Sequence, residues 1–145
     1  MNQEFISDSV KDTKNFARDF AKRLGPGDIL ALYGTLGAGK TAFIQGLVES
    51  LGYEGKVFSP TFIFVRPYQI GGRKSKIKVF YHIDLYRIEK PADLRTIGVE
   101  EFLNEKGAVS AIEWPEKIEK SLPSKATKIK IEVVDETRRK ITVSG

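Results

Sequence analysis

The sequence has 145 residues, so we expect a single domain over residues 1–145 that buries its own core. It contains no cysteine, which excludes disulfides and thiolate metal ligands. Its 24 Lys+Arg against 19 Asp+Glu give a net charge of +5, which suits a nucleotide or RNA partner but more simply describes an ordinary charged surface. Since no signal-peptide pattern opens the chain and no apolar run reaches membrane-spanning length, we expect a cytoplasmic protein without membrane contact.

The N-terminal segment predicts a short edge strand at residues 5–6, followed by a helix. Ser7 or Ser9 is suited to cap this helix, because a hydroxyl there accepts a hydrogen bond from an unpaired backbone N–H. Residues 25–27, with the sequence Gly-Pro-Gly, predict its end. The apolar stripe expected to face the core consists of Val10, Phe16, Ala17, Phe20, Ala21 and Leu24.

A glycine-rich motif, GTLGAGKT, occupies residues 34–41 and fits the P-loop pattern G-x-x-x-x-G-K-[ST]. An apolar run typical of a strand precedes it at 28–33, and residues 42–51 have helical spacing, which is the context that the motif requires. The alternative is a plain glycine-rich turn between a strand and a helix.

The motif predicts a site for a nucleoside triphosphate and Mg²⁺. Backbone N–H groups of the loop and of the following helix N-terminus would face the phosphates. Lys40 would reach the β- and γ-phosphate oxygens, and the Thr41 hydroxyl would hold Mg²⁺. The residues predicted to line the phosphates are Thr35, Leu36, Gly37, Ala38, Gly39, Lys40 and Thr41.

The middle of the chain predicts an antiparallel hairpin, with strands at 62–68 and 76–83 and a turn at 71–75. We interpret its basic tip, formed by Arg73, Lys74, Lys76 and Lys78, as a charged edge that resists strand pairing, with an RNA or partner contact as the alternative. Short helices are predicted at residues 91–94 and 99–103.

The C-terminal third predicts a strand, a short helix and a hairpin. Residues 108–112 are nearly all apolar, as in a strand buried on both faces of a parallel sheet. A short helix begins at 114, and residues 128–133 and 140–143 alternate as the strands of a hairpin. The expected fold class is therefore an α/β, P-loop NTPase-like mixed sheet in three layers: a parallel core with antiparallel hairpin additions, flanked by helices.

Two carboxylates directly follow apolar runs: Glu113 after 108–112, and Asp84 after 79–83. Ligands of open α/β sheets bind beyond the carboxyl ends of the strands, so both side chains reach the Mg²⁺ region if their strands flank the P-loop strand. We predict that Glu113 holds Mg²⁺ or orients the attacking water, and that Asp84 is a second carboxylate of the Mg²⁺ shell or of a switch. The alternative for each is an acid that caps the next helix.

Three other side chains support two interpretations each. Thr61 follows the P-loop helix in an extended segment, where switch loops carry a threonine for Mg²⁺ or the γ-phosphate, but a strand-opening threonine fits equally. Trp114 is either a stacking surface for a base or partner, or a core residue. His82, the lone histidine, is interpreted as a hydrogen-bonded structural residue rather than a base.

Four segments occur together: GTLGAGKT at 34–41, SPTF at 59–62, HIDLYR at 82–87 and EWPE at 113–116. In this order and spacing they resemble the TsaE (YjeE) family, the P-loop ATPases of bacterial tRNA threonylcarbamoyladenosine biosynthesis. The resemblance covers nearly the whole chain. It implies ATP and Mg²⁺ as cofactors, and hydrolysis that supports modification of the adenosine next to the anticodon together with the proteins TsaB and TsaD. In that scheme TsaD performs the transfer and contact with tRNA is indirect.

The resemblance also implies residue roles in the reaction. Lys40 corresponds to the phosphate lysine, Thr61 to the switch threonine and Asp84 to the acid of the second motif. Thr41 and Glu113 correspond to the Mg²⁺ positions. The catalytic residues expected on this basis are Lys40, Glu113, Asp84 and Thr61.

The same resemblance suggests the surroundings of the base. Trp114 matches a tryptophan near the nucleotide, and a looser alignment places Ser9 and Arg138 at the border of the adenine. One position departs from the family, since Thr35 stands where an Asp is usual. The motif does not use that side chain on the phosphates, so we expect nucleotide binding to survive.

The main alternative function is a small-molecule kinase on the same scaffold. A kinase needs an acceptor pocket and an arginine-bearing lid, whereas the arginines here are scattered. A GTP switch is disfavoured, because the chain has neither Asn-Lys-x-Asp nor Asp-x-x-Gly after a strand. With no evident arginine finger in the chain, we expect slow ATP hydrolysis by the isolated protein.

Overall fold

A computed structural model describes residues 2–35, 37–55, 65–71, 75–90 and 98–145. The predictions for Leu36, Thr61, the SPTF segment, Arg73, Lys74 and the helix at 91–94 lie outside these residues. The described elements, in chain order, are β1 (Gln3–Ser7), α1 (Val10–Ala21), β2 (Ile29–Tyr33), α2 (Lys40–Ser50), β3 (Val65–Gln69), β4 (Val79–Asp84), α3 (Val99–Leu103), β5 (Ala108–Glu113), a 3₁₀ helix (Pro115–Ile118), β6 (Thr127–Val133) and β7 (Arg139–Ser144).

Within the described residues, seven strands form one sheet in the order β1-β7-β6-β2-β5-β4-β3. The central strands β6, β2, β5 and β4 run parallel to one another. The outer pairs β1–β7, β7–β6 and β4–β3 are antiparallel. Both hairpin pairings and the mixed sheet expected from the sequence are therefore confirmed.

The strand order shows that only one of the two strands that end in a carboxylate flanks the P-loop strand. The neighbours of β2 are β5 and β6, so the strand that ends in Asp84 does not flank the P-loop strand. Instead β4 pairs with the far side of β5, with Asp84 in register with Glu113. Strand alternation reveals which face a residue occupies but not which strand lies beside which, because that order depends on the long connections.

The apolar residues of the described chain form two cores, one on each side of the sheet. Helices α1 and α2 cover one side, where they pack on residues such as Leu32, Ala111 and Ile131. On the other side, α3 and the 3₁₀ helix pack on residues such as Ile83 and Ile112. Helices on both faces of a mixed sheet give the expected three-layer α/β fold.

Helix α1 shows how the local sequence sets an element's limits. The Ser9 Oγ accepts the Asp12 N–H at 3.0 Å, so Ser9 is the cap that the sequence left open between two serines. Leu24 packs against the core as expected but lies beyond the end of the helix, whereas Val10 is 65% exposed. Val10 is the first helical residue, and its side chain points back beyond the end of the helix, away from the core. No helix among the described residues is long and apolar enough to cross a membrane.

Candidate nucleotide-binding site

The glycine-rich loop joins β2 to α2 in a conformation that two of its glycines make possible. Gly34 has φ 153°, and a Cβ there would lie 2.7 Å from the Ile131 carbonyl oxygen of the neighbouring strand β6. Gly39 has φ 108° and precedes the first residue of α2, Lys40. A side chain would clash at Gly34 and be strained at Gly39. Helix α2 therefore starts directly at the loop, with the unpaired N–H groups of its first turn directed toward it.

Lys40 is buried at the base of this loop, with 5% of its surface exposed. Its Nζ donates a hydrogen bond to the Gly34 carbonyl oxygen at 2.7 Å. The same atom lies 3.7 Å from Glu113 Oε1 and 4.5 Å from the centre of the Trp114 ring. The ammonium group thus lies between the loop backbone, a carboxylate and an aromatic face, with little access to water.

Glu113 ends β5 on the side of the sheet that α1 and α2 cover, because it continues the alternation of Val109 and Ala111. It is 5% exposed, and its Oε2 accepts a hydrogen bond from His82 Nε2 on the neighbouring strand β4. The following 3₁₀ helix receives no side-chain cap, which excludes capping as the role of Glu113. One carboxylate therefore joins the P-loop lysine to a residue two strands away from β2.

His82 is fully buried, and the expectation that it is hydrogen-bonded is confirmed. An ionised carboxylate only accepts hydrogen bonds, so Nε2 is the donor when Glu113 is ionised. The other ring nitrogen, Nδ1, is buried without a hydrogen-bond partner among the described residues. This arrangement fits a residue that orients Glu113.

Asp84 ends β4 in register with Glu113, so the two carboxylates follow neighbouring parallel strands. Its Oδ1 accepts the Tyr86 N–H at 2.9 Å, which stabilises the turn after the strand. Burial raises the pKa of the Asp84 carboxyl, and the charge of Glu113 raises it further against the opposing effects of Tyr86 N–H, His82 and Lys40. Asp84 is therefore a better proton acceptor than an aspartate in water.

Trp114 is half-buried and has a left-handed backbone with φ 60°, the only described non-glycine residue with positive φ. Such a conformation costs about 1–3 kcal/mol and persists where surrounding contacts enforce it. Its ring lies 5.1 Å from that of the exposed Tyr86 and covers the ammonium of Lys40. Trp114 thus forms one wall of the lysine pocket and presents a partly exposed aromatic surface beside it.

The other predicted loop residues that the structure describes differ in exposure. Thr41 is the second residue of α2 and is exposed, as are Thr35 and Gly37. Ala38 is buried, and its N–H donates to the Thr35 carbonyl oxygen at 3.1 Å, which closes a turn within the loop. The described loop residues thus combine a buried Ala38 with exposed Thr35 and Gly37, directly before the buried lysine.

Ser9 and Arg138 lie at the same edge of the sheet, on either side of the Ser7–Arg139 pair of β1 and β7. Each is held by its own turn: Ser9 by capping α1, and Arg138 by a 2.7 Å bond from its Nε to Asp135 Oδ2. They adjoin the N-terminal side of α1, and their predicted contact with adenine stays a prediction.

One site residue was missed. Arg139 Nε donates to the Ala38 carbonyl oxygen at 3.1 Å, so this side chain contacts the P-loop from strand β7. Only its neighbour Arg138 was predicted from the sequence to lie at the site. The signal was the alternation of β7: Arg139 has the parity of the core residues Ile141 and Val143, which places it on the inner face of the sheet.

A strand, a glycine loop and a helix that carries a buried lysine, set in a parallel core with antiparallel edges, define a three-layer α/β domain of the P-loop NTPase type. Known proteins identify the family. The family model described as "Threonylcarbamoyl adenosine biosynthesis protein TsaE" matches residues 7–141. The chain therefore belongs to the TsaE family.

Individual relatives agree with that assignment. A tRNA threonylcarbamoyladenosine biosynthesis protein TsaE from Rickettsia bellii is 34% identical over 100% of this chain and 96% of its own length. The protein of that name from Bacillus subtilis is 37% identical over 93% of this chain and 80% of its own. The crystal structure of Bacillus subtilis YdiB superposes with a TM-score of 0.80 at 31% identity, covering 99% of this chain and 84% of that one.

Proposed function

We propose that this chain is the ATP-binding and ATP-hydrolysing subunit that supports tRNA threonylcarbamoyladenosine modification, at the adenosine next to the anticodon, together with TsaB and TsaD. The observation that carries the proposal is the buried Lys40 ammonium, held at the base of the glycine loop beside Glu113, in a chain of the TsaE family. A domain gains little stability from such a pair, because desolvation of two charges offsets most of their attraction. A role in binding an anion explains why the cation is buried there.

The residues fit a nucleotide with Mg²⁺. Gly34 and Gly39 leave the loop backbone uncovered where side chains would be excluded or strained, as close approach of phosphates requires. The hydroxyl of Thr41 and the carboxylates of Glu113 and Asp84 are hard oxygen donors, which Mg²⁺ prefers. Bound MgATP supplies a phosphoanhydride bond that water cleaves to ADP and phosphate, with charge on the phosphate oxygens neutralised by the metal.

On this proposal each residue of the pocket has a separate task. The loop amides and the Lys40 ammonium bind the phosphate oxygens, with Lys40 exchanging its bond to the Gly34 carbonyl for a phosphate oxygen. The Thr41 hydroxyl, the residue after Lys40, holds the metal. Trp114 shields the ammonium from water on the other side, which strengthens its attraction to an anion.

The two carboxylates divide the remaining work. Glu113 holds His82 through Oε2, so its Oε1, which lies 3.7 Å from Lys40 Nζ, would be the oxygen available to Mg²⁺. Asp84, with its raised pKa, orients the attacking water and accepts its proton. Their shared register at the carboxyl ends of β4 and β5 would let both acids act on the same bound phosphates.

The experiment is a measurement of phosphate release by the purified chain, alone and then with TsaB, TsaD and tRNA. We expect slow hydrolysis alone and a clear acceleration with the partners, with one ADP formed per phosphate released to water. Omission of tRNA from the mixture shows whether TsaB and TsaD suffice for that acceleration. Failure to bind ATP, or rapid hydrolysis that the partners leave unchanged, would contradict the proposal. Phosphate found on a small-molecule acceptor would instead identify a kinase.

A further inference from the structure

Arg139 joins the P-loop to the turn between β6 and β7. Its Nε donates to the Ala38 carbonyl oxygen at 3.1 Å, while its Nη1 donates to the carbonyl oxygens of Asp135 at 2.9 Å and Arg138 at 3.0 Å. The guanidinium is half-buried between these groups. A planar guanidinium with donors on separate arms is suited to hold two backbone segments at once.

The turn on the far side of this connection has hydrogen bonds of its own. Asp135 Oδ1 accepts the N–H groups of Thr137 at 3.1 Å and Arg138 at 2.8 Å. Its Oδ2 pairs with the Arg138 guanidinium at 2.6 Å. The carbonyl groups that hold Arg139 are therefore parts of a turn with a fixed shape, so they anchor the arginine rather than follow it.

The bond to Ala38 has a direct consequence for the loop. A trans peptide points its C=O and the N–H that follows in opposite directions, so fixing the Ala38 carbonyl also fixes the Gly39 N–H. Gly39, with φ 108° and no side chain, offers little resistance to rotation of this peptide. While the Ala38 carbonyl accepts the Arg139 hydrogen bond, the Gly39 N–H therefore points away from Arg139.

We propose that Arg139 is a positioning residue for the phosphate cradle: it holds the Ala38–Gly39 peptide with the N–H turned toward the phosphates, by tying the loop to the β6–β7 turn. This inference rests on the proposed ATP-binding function. Arg139 acts through the loop backbone and does not itself contact the nucleotide.

The test compares Arg139→Gln and Arg139→Lys with the wild-type chain. We expect Arg139→Gln to bind MgATP and MgADP roughly tenfold more weakly by calorimetry, the equivalent of one lost charge-assisted hydrogen bond. Arg139→Lys keeps the charge, but its single ammonium cannot hold both segments, so its affinity should also fall. Lys140→Gln is the matched control, because it removes one charge from the next residue of β7, whose side chain pairs with Glu4 at 3.6 Å, away from the loop.

A second readout uses the free protein. Backbone ¹⁵N relaxation should show that Gly39 moves more in Arg139→Gln than in the wild-type chain, and no more than wild type in Lys140→Gln. Circular dichroism should show that both variants are folded. Wild-type affinity in Arg139→Gln, or in Arg139→Lys alone, would overturn the inference, the latter by reducing Arg139 to a mere charge. If the wild-type chain binds no ATP, the proposed function fails. Unchanged Gly39 relaxation in Arg139→Gln would separately overturn the positioning role of Arg139.

Discussion

Two groups of charged residues at the same end of the sheet differ sharply in their surroundings. Lys40 and Glu113 are each 5% exposed, and the Glu113 carboxylate also accepts a hydrogen bond from the buried His82. Asp135 and Arg138 form an ion pair of 2.6 Å in the exposed β6–β7 turn. Burying an ion costs several kcal/mol, whereas solvent screens an exposed pair so that it changes the stability of the fold little. Only the buried group therefore has a large desolvation cost, which a binding function would explain. Substitutions in the two groups should accordingly differ in their effects.

The largest effect should come from Lys40→Ala, which removes the ammonium from the base of the loop. We expect ATP binding or hydrolysis to be abolished, because the loop amides alone then face the phosphate charge. Lys130→Ala is the matched control, since that lysine is exposed on β6 beside Glu132 and should leave activity unchanged. Unaltered hydrolysis by Lys40→Ala would remove the basis for treating the buried group as a nucleotide site.

Glu113→Ala should have the next largest effect, on both turnover and stability. The change leaves the Lys40 ammonium and the His82 ring without their shared partner, and breaking a buried pair costs about 3 kcal/mol in the free energy of unfolding. Chemical denaturation should show that loss, while nucleotide binding survives in part and turnover falls. Glu132→Ala, on the exposed face of β6, should change stability by less than about 0.5 kcal/mol. Full turnover in Glu113→Ala would mean that another acid serves the metal.

The buried group also shows how far the sequence could be interpreted. Glu113 was predicted because it follows an apolar run, and β5 confirms that this run is a central parallel strand. Its bond to His82 could not be predicted, since it depends on β4 lying beside β5, an order that long connections decide. The motif identified Lys40, but its contact with Trp114 requires a left-handed backbone at a non-glycine residue, which no pattern signals.

The exposed group was harder to predict than the buried one. The terminal hairpin was expected from its alternation, and its pairing is confirmed. Which of two adjacent arginines turns inward depends on where the turn ends, and a shift of one residue exchanges the two faces. Arg139 rather than Arg138 therefore contacts the loop, and only the exact register shows it.

Asp84→Asn should change how the stability of the protein depends on pH. Burial raises the pKa of Asp84 above its ordinary value of 3.8, so the folded state binds the proton more tightly than the unfolded state. The free energy of unfolding of the wild-type protein therefore falls as the pH rises from 3.8 through the raised pKa of Asp84. The uncharged amide side chain of the Asp84→Asn variant does not ionise, so the variant avoids this loss. The variant should have a higher Tm than wild type at pH 7, with the gain disappearing below about pH 3.8. A lower Tm at pH 7 would show that the Asp84 charge stabilises the fold.

Asp135→Asn should give the smallest effect, with the opposite sign. Hydrogen bonds from the Arg138 guanidinium, and then from backbone N–H groups, lower the pKa of Asp135 from 3.8 to about 2. The stabilisation is present above pH 3.8 and is lost as the pH falls toward 2. The variant should melt slightly below wild type at pH 7 and together with it at pH 2. A difference that persists at pH 2 would assign the effect to the amide rather than to the charge.

Binding of a triphosphate by the loop backbone and Lys40 can be observed in a crystal structure with Mg²⁺ and a non-hydrolysable ATP analogue. We expect phosphate oxygens against the backbone N–H groups of residues 37–41, with the Lys40 ammonium within hydrogen-bonding distance of them. An analogue bound elsewhere on the protein, or a loop whose N–H groups turn away while Lys40 stays on the Gly34 carbonyl, would contradict it.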